Sequence, residues 1–327
     1  MKNYLDALPR PFLVLAPMED VTDTVFRRVI AEIAPFDLNV TEFVNADGLQ
    51  SPGRKPTSRR LRFEPEEQPL IAQIWGKNPE NYYKTTLELV EMGFVGVDIN
   101  MGCPVKAVVK NACGGGLIQH PERAVEIIKT VQSAAQGKFP VSVKTRIGFK
   151  EYNPGWIEML LKQNLNMLAV HLRTVKEMSH APAHWEVMED IKRLRDKIAP
   201  GTALVGNGDV KNRRHGNELA KKYSIEGTMV GRGVFHDPYA SLLQSPWANK
   251  SREEKLALYG RHIELFESTW EDSDRRPIVT LNKFCKVYVS GFAGAKELRE
   301  KLMNCQTIEE LSYKLAAAQG AEANVVG

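Results

Sequence analysis

Eight apolar stretches of strand length recur along the chain, at residues 13–18, 38–44, 70–76, 96–102, 141–148, 167–174, 203–210 and 227–234. Amphipathic helical patterns fill the gaps between them. In the first gap Val25, Phe26, Val29, Ile30 and Ile33 fall on one helical face, behind a threonine cap at Thr22. Asn78 and Pro79 open a second helix that Gly93 closes, Pro121 opens a third that reaches Val131, and residues 156–165 and 185–198 carry two more. Eight successive strand–helix units predict the α/β class and a (β/α)8 TIM barrel. A doubly wound sheet uses the same alternation, but it carries a glycine-rich nucleotide signature after an early strand, and neither GxGxxG nor GxxxxGK[ST] occurs.

The alternation stops after Pro238. Residues 252–318 read as several helices with no strand between them, with Leu256, Tyr259, Ile263 and Phe266 on one apolar face and a later helix marked by Phe284, Val287 and Tyr288 ending near Gly291. The expected division is a barrel over residues 1–240 and a C-terminal helical domain over 241–327, with a frayed end from Gly320. Residues 1–12 lack the basic start, apolar run and cleavage site of a secretory signal, and no stretch of 18 consecutive apolar residues occurs. The four cysteines (Cys103, Cys113, Cys285, Cys305) form no CxxC pair, which fits a reducing compartment. The expectation is therefore a cytoplasmic chain, not membrane-bound, monomeric and without an obligatory protein partner.

A barrel places its chemistry at the C-terminal ends of its strands. Polar or reactive residues stand there in run after run: Met18, Glu42, Gln73, Asn100 with Cys103, Lys144 with Arg146, His171 with Arg173, Asn207 with Asp209, and Arg232. Gly102 and Pro104 bracket Cys103 and put it on a loop tip, where it is either a reactive thiol or a buried structural cysteine. Lys144 lies inside the apolar run Val141-Ser142-Val143 and needs a counter-charge, which is either a bound anion or a barrel carboxylate such as Glu42. His171 is open to the same two readings, ligand contact or satisfied core histidine. Gly206-Asn207-Gly208-Asp209 and Gly231-Arg232-Gly233 follow the last two strands, where backbone N–H groups of barrels often meet phosphate. His180 and His184 have the spacing of a metal pair, but Pro182 breaks any helix between them, and no metal is assigned.

The net charge of +4 says little by itself, but the basic residues are clustered. Between Ser51 and Arg62 lie Arg54, Lys55, Arg59, Arg60 and Arg62 with no acid, and from Arg275 to Lys301 seven basic residues, Lys283 and Lys286 among them, face only Glu297 and Glu300. Such clusters grip phosphates or are simply solvated surface.

Taken together, Ala16-Pro17-Met18 with Val21-Thr22-Asp23, Asn100-Met101-Gly102-Cys103-Pro104, Gly114-Gly115-Gly116-Leu117, Val143-Lys144-Thr145-Arg146, His171-Leu172-Arg173-Thr174 and Gly231-Arg232-Gly233 resemble the tRNA-dihydrouridine synthases. The resemblance runs in order from about Leu13 to Pro238, and the helical appendage is similar to that family's tRNA-binding domain. It implies an FMN-dependent barrel, driven by NADPH or NADH, that reduces the C5–C6 double bond of a uridine in tRNA. Hydride would pass from reduced flavin to C6 while Cys103 protonates C5, on a base turned outward from its stack.

By the same resemblance Ala16, Pro17, Met18, Gln73, Lys144 and His171 contact the flavin, and Asn207, Gly208, Asp209, Gly231 and Arg232 the region of its phosphate. Asn100 and Arg146 hold the uracil, while Arg173, Arg59, Arg60, Lys283 and Lys286 serve the tRNA. The chain departs from the family pattern at Glu19-Asp20, at Leu172 and across residues 176–184. Two other readings remain at this level: an FMN barrel reducing a small pyrimidine or enone, and a tRNA-binding barrel without catalysis.

Overall fold

A computed structural model describes residues 4–270 and 276–320. Nine parallel strands are present: β1 (Phe12–Leu15), β2 (Leu38–Val40), β3 (Val44–Asn45), β4 (Leu70–Trp75), β5 (Gly96–Met101), β6 (Val141–Arg146), β7 (Met167–His171), β8 (Ala203–Asn207) and β9 (Gly227–Val230). Eight of them close a ring. β1 pairs with both β2 and β9, β2 pairs across to β4, and β4 to β9 follow in sequence, while the two-residue β3 only extends the edge of β4. Helices lie between the strands, and the architecture is the (β/α)8 barrel that the alternation predicts.

Local structure departs from the sequence expectation at several points, and at the first two a side chain explains it. The run at 38–44 splits because Thr41 enters the ladder with its hydroxyl: Gln73 N–H donates to Thr41 Oγ1 at 3.0 Å. The first helix, Thr24–Ile33, is capped not by Thr22 but by Asp23, whose carboxylate accepts from Phe26 N–H at 2.9 Å. The Thr22 hydroxyl is already taken by Met18 N–H at 2.9 Å. Asn153 and Pro154 start the helix Pro154–Leu161 earlier than expected, and Trp185–Val187 is a 3-10 turn before the α-helix Met188–Ile198. The helix begun at Pro121 runs on to Ala135, where Gln136 takes a left-handed conformation.

After the last strand come helices Arg252–Thr269, Val279–Tyr288, Ala295–Met303 and Ile308–Gly320. Leu256, Tyr259, Ile263 and Phe266 are all buried, in one apolar cluster that also contains Val25, Phe26, Val29 and Ile30 of the first barrel helix. Phe26 stacks on Phe284 with ring centroids 5.4 Å apart. The helical segment is thus fastened to the barrel by apolar contact, to which the ion pairs Arg261–Glu32 at 2.7 Å and Arg276–Asp23 at 2.9 Å are added. Arg275 and the expected fraying of 321–327 lie outside the described residues. No helix among those described is long and apolar enough to cross a membrane.

Strand parity then decides what faces the barrel axis. Val14, Ala16, Val40, Ile71, Ala169, Val205 and Met229 form the interior apolar cluster. Continuing the same parity toward the strand ends gives Met18, Gln73, Asn100, Lys144, His171, Asn207 and Gly231. The interior is therefore apolar at its base and turns polar toward the mouth.

Candidate active site

Those mouth-facing residues line one cavity of about 910 Å³, a volume typical of a cofactor or substrate site. Ala16, Pro17, Met18, Gln73, Lys144 and His171 line it, together with Asn207, Gly208, Asp209, Gly231 and Arg232 and with Asn100, Cys103, Arg146 and Arg173. Val105 and Ser179 also border it, though no sequence pattern had singled them out.

Cys103 stands on the loop after β5, 9% exposed. Asn100 Oδ1 accepts from the N–H groups of Gly102 and Cys103 at 3.1 and 3.0 Å, and the Cys103 carbonyl accepts from Gly115 N–H at 2.9 Å. The loop is clamped from both sides. Burial raises the pKa of the thiol, with Glu19 adding to the effect and Arg146 and Lys144 opposing it, so at neutral pH it holds its proton. Arg146 donates from Nε to Gly102 O at 2.8 Å and from Nη1 to Thr174 O and Met178 O at 3.0 and 2.6 Å. It ties the cysteine loop to the loop after β7.

The side chain of Lys144 makes no ion pair or hydrogen bond with any described residue. Glu42 does not serve it, because its Oε1 accepts from Asp20 N–H at 2.6 Å. Burial lowers Lys144 to about 8, helped by Arg146 and opposed by Asp98. His171 Nε2 lies 3.0 Å from Arg173 Nη1. Arginine can only donate, so Nε2 accepts and the ring proton sits on Nδ1. Burial and the surrounding cations Lys144, Arg146, Arg173 and Arg232 hold the imidazole pKa well below its usual value, and the ring is neutral. Asn207 donates from Nδ2 to Met229 O at 2.9 Å, which fixes its amide.

The arginines separate by what they already hold. Arg173 donates from Nη2 to both carboxylate oxygens of Asp209 at 2.7 and 2.6 Å, its side chain only 3% exposed. Its charge is committed inside the wall and does not extend to the surface. Arg232 reaches Asp209 more loosely at 3.3 Å and is over half exposed. Among the surface cations, Arg60 pairs with Glu19, Arg54 with Glu88 at 2.8 Å, and Arg62 donates to Thr269 O at 2.5 Å. Lys283 donates to Asp20 O, and Arg276 pairs with Asp23 at 2.9 Å. Arg59 is half-buried beside Arg60, and Lys286 is exposed. The departing pair Glu19-Asp20 thus sits where the barrel mouth, the 51–62 segment and the C-terminal helices meet. His184 binds Glu177 at 2.8 Å and Glu186 at 3.2 Å, and no cluster of three metal-ligating side chains occurs among the described residues.

One residue beneath the cavity escaped the sequence reading. Asp98, 2% exposed, accepts from Ser142 Oγ at 2.6 Å and from Gln73 Nε2 at 2.7 Å. The signal was the one that marked Lys144, a charge inside an otherwise apolar strand.

Known proteins resemble this chain in two ways. A solved structure of morphinone reductase shares the fold with a TM-score of 0.53, at 10% identity over 72% of this chain and 86% of that one. Sequence similarity reaches further. A probable tRNA-dihydrouridine synthase of Staphylococcus aureus (strain COL) is 47% identical over 312 residues, covering 94% of this chain and 93% of the relative. A probable tRNA-dihydrouridine synthase 2 of Bacillus subtilis (strain 168) is 44% identical over 313 residues, 95% and 94% of the two chains. The family model described as dihydrouridine synthase matches residues 14–324, a span that takes in the second half of β1 and every later strand of the barrel, the clamped cysteine and the helices that follow. The chain belongs to the dihydrouridine synthase family.

Proposed function

We propose that the chain reduces the C5–C6 double bond of a uridine in tRNA, with FMN as resident cofactor and NADPH or NADH as reductant. The observation that carries this reading is the pairing, in one barrel mouth, of a protonated, clamped thiol with an unpartnered ammonium. The cavity suits a flavin on its own terms: Lys144 offers a positive charge with no internal partner, His171 offers an N–H at Nδ1, and Gln73 and Asn207 offer fixed amides around a volume of about 910 Å³. Ala16, Pro17 and Met18 would hold the apolar body, and Gly208, Gly231 and Arg232 the phosphate region. When bound, FMN would supply the two-electron chemistry, the transfer of a hydride equivalent from the nicotinamide to the uracil.

The remaining chemistry belongs to the chain. Cys103 gives its proton to C5 as C6 is reduced, which requires a thiol rather than a thiolate, and burial provides one. Lys144 stabilises negative charge beside the cofactor. Arg146, held by three carbonyls, keeps the cysteine loop and the loop after β7 in register against the uracil, with Asn100 fixing the thiol's backbone. The base must be swung out of the RNA to reach this depth. Residues 241–327 serve as the tRNA-binding domain, and Arg59, Arg60, Lys283 and Lys286 supply contacts to the RNA backbone around the mouth.

The test is spectroscopic. The purified protein should show flavin absorption that NADPH bleaches under anaerobic conditions and unmodified tRNA restores, with dihydrouridine appearing in the RNA. Restoration only by small enones would assign a small-molecule reductase instead. A colourless protein that binds tRNA after FMN reconstitution would mean a barrel without catalysis.

A further inference from the structure

Asp98 lies in the middle of β5, a layer below the cavity, and both of its carboxylate oxygens are occupied. Oδ1 accepts from Ser142 Oγ at 2.6 Å and Oδ2 from Gln73 Nε2 at 2.7 Å. Gln73 Oε1 in turn accepts from Asn100 Nδ2 at 3.0 Å, and Asn100 Oδ1 accepts from the N–H groups of Gly102 and Cys103. This run has a direction. Backbone N–H groups only donate, so Asn100 must give them its oxygen and turn its NH2 to Gln73. Gln73 must then give its oxygen to Asn100 and turn its own NH2 to the next group. Two amides so oriented close only on an acceptor.

The carboxylate at 98 is that acceptor. Although burial raises its pKa to about 6, against the hydrogen bonds from Ser142 and Gln73 and the charge of Lys144, it is an anion at neutral pH and accepts at both oxygens. A donor in its place would turn Gln73 over, then Asn100, and would set an NH2 group against the two N–H groups of the cysteine loop. Gln73, Asp98, Asn100 and Cys103 are buried and Gly102 is partly so, and in such surroundings an unmatched donor pair is costly.

We propose that Asp98 is a positioning residue for Cys103, acting through Gln73 and Asn100 by fixing which way both amides face. Its consequence for turnover rests on the reading of Cys103 as the proton donor; its consequence for the loop does not. What matters is the acceptor at position 98, not the charge. Asn at 98 keeps the run, since its oxygen can face Gln73 and its NH2 Ser142, whose hydroxyl then turns to the Val97 carbonyl already 3.3 Å away. Leu at 98 fills a similar volume and offers nothing.

The experiment is hydrogen exchange at the Gly102 and Cys103 amides of the flavin-free and RNA-free chain, in the parent, D98N and D98L. D98N should protect both amides as the parent does, and D98L should exchange them about tenfold faster or more, the effect of one lost internal hydrogen bond. Should D98L fail to fold, Q73M interrupts the same run one link later and is read in the same way. Parent-like protection in D98L, or in Q73M where that is the variant read, overturns the proposal. Equal acceleration in D98N and D98L overturns it too, because charge rather than acceptor geometry would then be the cause. Reoxidation of the flavin by tRNA, measured on the same variants, tests the role of Cys103 separately.

Discussion

Replacing Gly115 by alanine should slow proton delivery without touching the rest of the reaction. The glycine tract 114–116 lies directly under the cysteine loop, and a Cβ at 115 would stand 2.8 Å from Val175 Cγ2 and 3.0 Å from the Cys103 carbonyl oxygen. Carbon atoms in relaxed contact are about 3.5–4.0 Å apart, so the valine side must yield by about 0.7 Å or the tract must move. Because Gly115 N–H also holds that carbonyl at 2.9 Å, movement of the tract carries the Cys103 loop with it. Overpacking of this kind destabilises by about 1–3 kcal/mol. A misplacement of about 1 Å can reduce a positioned reaction about 100-fold, and a shift of roughly half that should give about a tenfold loss. In stopped-flow measurements, bleaching of the flavin by NADPH should keep its rate in G115A while reoxidation by tRNA falls about tenfold. G201A, whose Cβ would meet nothing within 4 Å, should leave both rates unchanged. Parent-like reoxidation in folded G115A would refute the claim that the tract sets the position of the thiol.

Other expectations follow from single side chains. Glu42 has its carboxyl pushed up to about 7 by burial and the neighbouring Asp23, from a usual value near 4.5. The folded state therefore holds a proton that the unfolded state gives up, and this contribution to stability, present below about 4.5, is lost as pH rises through 7. E42Q keeps the acceptor for Asp20 N–H, so urea unfolding should show it gaining up to about 3 kcal/mol over the parent between pH 5 and 8; parallel curves would refute this. Lys144, lowered to about 8, should make FMN binding by the apoprotein weaken as pH rises through that value. K144M should bind FMN more weakly at pH 7 and show no such dependence in a fluorescence titration. Neutralising Arg59 and Arg60 should weaken tRNA binding and flatten its salt dependence by up to about two units of slope; filter binding across a salt series reads this, and an unchanged slope would remove both from the RNA interface.

The barrel was legible because burial on a parallel sheet leaves a run of apolar residues, and eight runs with helices between them have few ways to close. The candidate site was legible for the same reason in reverse. Gln73, Asn100, Lys144, His171 and Asn207 are polar groups at the ends of those runs, and parity sends all five inward. Partnerships across the fold were not legible. Arg173 looks like any other arginine in sequence, yet Asp209, 36 residues away, accepts from its Nη2, and the basic segment at 51–62 could not show that Glu19 would meet Arg60. Asp98 was passed over because Asp98-Ile99-Asn100 reads as the polar end of a strand, and only the closed ring brings Gln73 and Ser142 to either side of it. The threonine cap failed for a local reason, since Thr22 and Asp23 are both good caps and the choice turned on the hydrogen bond from Met18.

In the proposed function Cys103 delivers a proton while the rest of the mouth holds cofactor and base. A single-turnover experiment tests it most directly: reduce the flavin of the parent and of C103A anaerobically, add unmodified tRNA, and follow reoxidation. C103A should bind FMN and tRNA as the parent does and reoxidise about 100-fold more slowly or worse. Reoxidation at the parent rate, with dihydrouridine formed, would contradict it.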